Sequence, residues 1–258
     1  MNVGVVGFGW LGLPLAKDLS KKGFNVWGTV RSVEKQTQIQ ESSGLQTQCW
    51  DNSKPVSILQ SQLSETDLLI ITLPPSSFEG NSYAETVNSL AQFLPQTGKV
   101  IFTSSIGIYP NESKEMDENE SDLKCGKILD AENALRKWSK NKLSVLRLGG
   151  LIGEDRNPAK YLVRKEINDR PNQKVQLIHQ EDVIRVIHEV VEQNKFGETF
   201  NVVHPGRPTR EKYYTYMADK LNLGSIRFDK EQSAEGKNIN VSKLRNELGF
   251  RKFKPLLS

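Results

Sequence analysis

The feature that most constrains the fold is the stretch "NVGVVGFGWLG" at the start of the chain. A short β-rich run passes directly into Gly7, Gly9 and Gly12, spaced G-x-G-x-x-G, and the following residues "LGLPLAKDLSKKG" have the apolar spacing of a helix. A strand, a glycine turn and a helix in that order have a physical use. Gly7 permits the tight turn, Gly9 lets the backbone approach a pyrophosphate, and Gly12 lets the helix pack closely on the strand. The helix N-terminus adds amide donors and positive dipole. The stretch predicts a dinucleotide site.

The rest of the first half repeats the alternation that a parallel sheet covered by helices requires. "NVWGTV" reads as a strand, Val33 to Ser43 as a polar helix, and "LQTQCW" as a short strand. "DLLIITLP" is a buried strand stopped by Pro74 and Pro75, residues 81–94 form a helix, and "KVIFTSS" is a fifth strand. "GKILDAENALRKWSK" is helical, and "LSVLRLGGLIG" reads as one more buried strand. Further on, "NPAKYLVRKEIN", "EDVIRVIHEVVEQN" and "TREKYYTYMADKLNL" look helical, and "ETFNVVHP" looks like a returning strand. The fold class expected is α/β, a Rossmann-type doubly wound parallel sheet with a small C-terminal lobe. Residues 1–152, completed by a helix and strand at about 181–203, form the Rossmann domain, and 153–258 the mixed substrate-binding lobe.

The second strand selects the dinucleotide. An NAD site usually carries an acidic residue about 20 positions after the glycines. "VWGTVRS" has none and offers Thr29, Arg31 and Ser32, donors suited to a 2′-phosphate. NADP is therefore favoured, with NAD the alternative.

Composition excludes several other classes. The 35 basic and 31 acidic residues are interspersed and give a net charge of +4, a solvated surface rather than a nucleic-acid footprint. The first hydrophobic stretch is too short and glycine-rich to span a membrane and lacks the marks of a signal peptide. Cys49 and Cys125 stand alone, which points to a reducing cytoplasm. Three scattered histidines without a carboxylate cluster argue against a metal site. His179 and Asp182 read as a loop fix and a cap for the next helix, His188 as filling and His204 as a turn residue.

Beyond the glycine turn, the segments "ITLPPSS", "IFTSSIGIYP", "LSVLRLGGLIGEDRNP", "LIHQEDVIRVIHEVVE", "ETFNVVHPGRPTREKYYTYMADKLNL" and "VSKLRNELGF" follow in an order spanning nearly the whole chain. In these the chain resembles the extended short-chain dehydrogenase/reductases of the NAD-dependent epimerase/dehydratase group, and more closely their atypical branch of small proteins. The resemblance implies that Gly7, Gly9, Trp10, Leu11 and Gly12 hold the pyrophosphate, and that Arg31 and Ser32 meet the adenosine 2′-phosphate. Asp51 would contact adenine, unless it or Asn52 is a turn residue. Leu73, Pro74 and Pro75 would line the ribose side, and Gly149, Gly150 and Leu151 would lie by the carboxamide. Ser104 and Ser105 would sit near the reacting carbon. A homodimer through residues 81–94 and 126–140 is a further implication.

The helix after strand five departs from the family. Where the family carries Tyr-x-x-x-Lys, "DLKCGKILDAEN" has no tyrosine. The lysine of that pair lowers the tyrosine's pKa so that the phenol can exchange a proton with substrate. One alignment puts Lys124 and Ile128 there, and a shift by one puts Leu123 and Lys127. Tyr161 with Lys165 and Tyr216 with Lys220 have the spacing by chance, in other helices. Three possibilities stay open. Tyr109 acts as the acid, Lys124 or Lys127 supplies charge or binds ribose, or no proton transfer occurs. Arg156 and Asn157 follow the strand-six loop where substrate would lie.

Three functions follow. The first is an NADP-dependent oxidoreductase or epimerase-like enzyme for a nucleotide-sugar or small carbonyl compound. The second is a non-catalytic NADP-binding regulator or scaffold. The third, a β-hydroxyacid dehydrogenase, requires an all-helical second half, against which "ETFNVVHP" and the paired serines argue.

Overall fold

Short apolar runs become the central strands of a parallel sheet, in a computed structural model that describes residues 1–79, 82–229 and 236–257. The strands are β1 (Asn2–Val6), β2 (Asn25–Val30), β3 (Gln46–Cys49), β4 (Leu68–Ile71), β5 (Lys99–Ser105), β6 (Leu143–Leu148) and β7 (Thr199–Val202). They form one sheet in the order β3-β2-β1-β4-β5-β6-β7 and run parallel from β3 through β5. Every residue of β4 and β6 is buried, as strands covered by helices on both faces must be.

The helices are α1 (Gly12–Lys21), α2 (Val33–Ser43), α3 (Gln60–Ser64), α4 (Ser82–Gln92), α5 (Lys127–Trp138), α6 (Ala159–Leu162), α7 (Gln180–Glu192), α8 (Arg210–Lys220) and α9 (Ser242–Asn246). Strand order reverses between β1 and β4, and in open sheets of this kind ligands bind at that switch point, beyond the carboxyl ends of the strands.

The chain divides into two compact units. Met1–Ser104, Cys125–Leu146 and Asn194–Thr199 make the first, around a core that includes Val6, Trp27, Leu69, Ile71, Phe102 and Leu135. Ser105–Lys124, Arg147–Gln193 and Phe200–Ser258 make the second, whose core includes Ile152, Leu162, Leu177, Tyr213 and Tyr214.

Several expectations need correction. "LSVLRLGGLIG" is two strands, because at Gly150 the main chain changes partner. The Gly149 amide still donates to Val202 O at 3.0 Å, but that of Gly150 donates to Gln176 O at 2.8 Å. Gly150–Ile152 then pairs in parallel with Leu177–His179, a strand not anticipated. "NPAKYLVRKEIN" is helical only over Ala159–Leu162. Past Leu162 the main chain tightens, Lys165 N donating to Leu162 O at 3.1 Å, and buried Asn168 Nδ2 donates to the same carbonyl at 3.2 Å. The helix expected at 81–94 is described from Ser82 to Gln92, residue 81 lying outside the described residues.

Candidate functional site

The glycine turn is built by three different demands. Gly7 adopts φ +108°, a conformation that side chains resist. Its amide donates to Thr29 Oγ1 at 3.0 Å, and its carbonyl accepts from Thr72 Oγ1 at 2.8 Å and Gly9 N at 2.7 Å. Gly12 faces that pinned carbonyl, and a Cβ there would lie 2.1 Å from Gly7 O. At Gly9 the nearest protein atom to such a Cβ is 4.0 Å away, so the space beside it is open.

That open space belongs to a cavity of about 370 Å³ within the first unit. Gly7, Phe8 and Gly9 line it at the turn, and Thr72, Leu73, Pro74, Ser77 and Phe78 form a wall after β4. Trp50, Asp51 and Asn52 contribute from the end of β3. From the end of β2, Val30, Arg31, Ser32 and Lys35 line it, while Glu34, in the first turn of the next helix and bonded to Ser32, is not in the lining. The residues fit an extended dinucleotide. The glycine cradle has room for a pyrophosphate against backbone, the walls are apolar, and cations stand at one end.

The end of β2 is well prepared for an anion. Ser32 caps α2, its Oγ accepting from Lys35 N at 3.4 Å, so the first turn of an 11-residue helix opens beside Arg31 and Lys35. Thr29 is only 2% exposed and its hydroxyl oxygen holds the Gly7 amide, so it braces the glycine turn. Asp51 Oδ1 accepts from Ser53 N at 2.9 Å and from the Ser53 hydroxyl. The Ser53 hydroxyl, then its amide, holds the carboxyl below its ordinary range, so Asp51 is both a turn residue and a charged group on the cavity wall.

Other residues named from the sequence lie off the lining. Leu11 is buried as the N-cap of α1, Trp10 is half-buried, and Pro75 begins the 3-10 turn Pro75–Ser77. Ser104 is buried, its Oγ donating to the fully buried Glu132 at 2.5 Å. Lys127 Nζ donates to the carbonyl of Phe78, which braces the cavity wall from the first turn of α5. Lys35, Trp50 and Phe78 were not singled out from the sequence. Lys35 had a signal, since it falls one turn into the helix that Ser32 caps.

The second unit holds the rest. Ser105 Oγ accepts from Gly107 N at 3.0 Å. Tyr109 is fully buried, its hydroxyl donating to Asn201 Oδ1 at 2.7 Å and accepting from Arg147 Nη1 at 2.8 Å. Burial pushes this phenol above its ordinary pKa, with Arg147 opposing. Asn201 N in turn donates to Glu118 Oε1 at 2.7 Å, and burial raises that carboxyl. Gly149 leads into the strand against Leu177–His179, and Gly150 and Leu151 are its first two residues. Arg156 closes a tight loop with Gly153 through two main-chain bonds. Asn157 is buried between Tyr213 and the Ala159 amide, on the wall of a second cavity of about 420 Å³. His179 caps α7, and Asp182 accepts from Lys254 N and Arg185. Among the described residues no helix is long and apolar enough to cross a membrane.

Comparison with known proteins agrees with this geometry. Residues 7–194 match a family described as NAD(P)H-binding. Protein YeeZ of Escherichia coli strain K12 is 32% identical over 265 aligned positions, covering 96% of this chain and 94% of YeeZ. A UDP-glucuronic acid 4-epimerase from Bacillus cereus, solved in complex with NAD, superposes with a TM-score of 0.80 at 18% identity, over 99% of this chain and 95% of the epimerase. A short-chain dehydrogenase/reductase superfamily protein from Agrobacterium tumefaciens, with bound NAD, gives 0.78 at 13% identity, over 99% and 94% of the two chains.

Proposed function

The chain belongs to the NAD(P)H-binding family, and we propose that it is an NADP-dependent member of the oxidoreductase and epimerase class, acting on a nucleotide-sugar or a small carbonyl compound. The observation that carries the cofactor choice is the end of β2, where Arg31, Ser32 and Lys35 line the cavity; the carboxylate in that lining, Asp51, comes from the end of β3. Arg31 and Lys35 would grip the 2′-phosphate, the glycine turn the pyrophosphate, and Asp51 and Asn52 the adenine side. Bound there, the cofactor supplies hydride chemistry, and the chain's residues orient it and keep water away. The two free cysteines suit a cytoplasmic setting.

Hydrogen bonds to a charged group contribute about 2 kcal/mol, which corresponds to roughly 30-fold in affinity. Arg31→Ala and Lys35→Ala are each expected to weaken NADPH binding by about that factor while NADH binding changes less than about twofold. Equal losses for both cofactors in a fluorescence titration would contradict the NADP assignment.

A second reading, a cofactor-binding regulator without turnover, is favoured by one observation. The helix that would carry Tyr-x-x-x-Lys has no tyrosine, and the hydroxyl of Tyr109 is engaged on both sides by protein groups. NADPH consumption with any member of a panel of carbonyls and sugar nucleotides would end that reading.

A further inference from the structure

The second unit gathers two cations on one short turn, and among the described residues no carboxylate pairs with either. Lys237 Nζ donates to the carbonyls of Ile106 at 2.9 Å and Gly107 at 3.3 Å, both in the 3-10 turn Ile106–Ile108. The Lys124 amide donates to Ile108 O at 2.7 Å, so that lysine is rooted on the same turn. Ser105 caps the turn by accepting from Gly107 N, which leaves its hydroxyl hydrogen to donate. Gln176 Nε2 holds the Lys237 carbonyl at 2.7 Å, fixing where the side chain starts.

An ammonium has three donors, and two carbonyls occupy two of them. Neutral carbonyls do not cancel its charge. Burial first, and the charge of Lys124 second, pull Lys237 down to about 8. Bringing an anion to such a pair converts a repulsion into two attractions, and the Ser105 hydroxyl adds a neutral donor.

We propose that Lys237, Lys124 and Ser105 form a binding site for an anionic group, a phosphate or a carboxylate, of the molecule on which this protein acts. That the anion belongs to a substrate rests on the functional reading just given. The site itself requires no cofactor.

The test is amine footprinting of the full chain by acetic anhydride at pH 7, with mass-spectrometric rates for each lysine. A lysine at about 8 holds on the order of a hundredfold more free amine at pH 7 than an ordinary one, so Lys237 should label about tenfold or more faster than exposed Lys17. Inorganic phosphate or malonate should then slow Lys237 about fivefold or more, with chloride at matched ionic strength as the control. Protection by phosphate alone points to a phosphorylated ligand such as a sugar nucleotide, and protection by malonate alone to a carboxylate. Lys124→Gln should slow Lys237 labelling and weaken the protection. Lys237→Arg should keep the anion's effect on the melting temperature, whereas Lys237→Gln should lose it. The proposal is overturned if neither anion changes the Lys237 rate, or if Lys237→Gln keeps the full thermal effect. An NADPH titration of the same sample separates the two ideas. Anion protection without NADPH binding defeats the functional reading alone, and NADPH binding without anion protection defeats this site alone.

Discussion

Gly12→Ala is expected to lower the melting temperature by roughly 6 °C or more and to abolish measurable NADPH binding. The added Cβ would sit 2.1 Å from Gly7 O and 2.7 Å from Thr72 Oγ1. Neither atom can yield cheaply. The Gly7 carbonyl is held by Thr72 Oγ1 and Gly9 N, and Gly7 itself sits at φ +108°. Overpacking of this kind costs about 3 kcal/mol, and at this chain length each kcal/mol moves the transition by about 2–4 °C. Gly9→Ala should behave in the opposite way. Its Cβ meets only Gly7 O, at 4.0 Å, so the melt should move less than about 2 °C. The methyl would project into the open space beside the turn, where the proposed site places the pyrophosphate, and NADPH affinity should fall at least about tenfold. A Gly9→Ala protein that binds NADPH as well as wild type would mean that no phosphate lies against that backbone.

Tyr109→Phe should destabilise the protein by about 1–3 kcal/mol and leave NADPH affinity unchanged. The hydroxyl links Arg147 to Asn201 in a buried network, and removing it takes one bond from Arg147, whose Nη1 still reaches Glu118 O at 3.4 Å, and the donor from the Asn201 amide oxygen. A phenol serving as the catalytic acid would give the reverse pattern, a melt close to wild type with turnover lost. The direction of its pKa agrees with the structural role. Burial raises it, and a phenol raised from its ordinary value of 10.0 ionises too high to act as a base near neutrality. Thermal melts beside any NADPH-consuming assay that can be established would separate the two roles.

How far the sequence could be read depended on whether a feature was local. The helix Val33–Ser43 and the strand at the end of which Arg31 stands follow from spacing within a few residues, and the structure reproduces them. The glycine turn was legible for the same reason, because strand, turn and helix are contiguous. The 3-10 turn and helix over Val56–Ser64 carry no strong periodicity and were not anticipated. The split of "LSVLRLGGLIG" depends on Gln176, a partner distant in sequence that no period reveals. At the site, motif matching drew attention to Leu11 and Pro75, whereas the cavity wall also uses Lys35, Trp50 and Phe78. Lys127, which the sequence offers as a source of charge or a ribose ligand, donates to the Phe78 carbonyl, a partner distant in sequence that makes it also a brace for the cavity wall.

The most direct measurement is a fluorescence titration of the wild-type protein with NADPH and, separately, NADH. Saturable NADPH binding is expected, at least about tenfold tighter than NADH, since a gripped 2′-phosphate contributes about 1.4 kcal/mol or more. Equal or tighter NADH binding, or binding of neither, would contradict the NADP assignment.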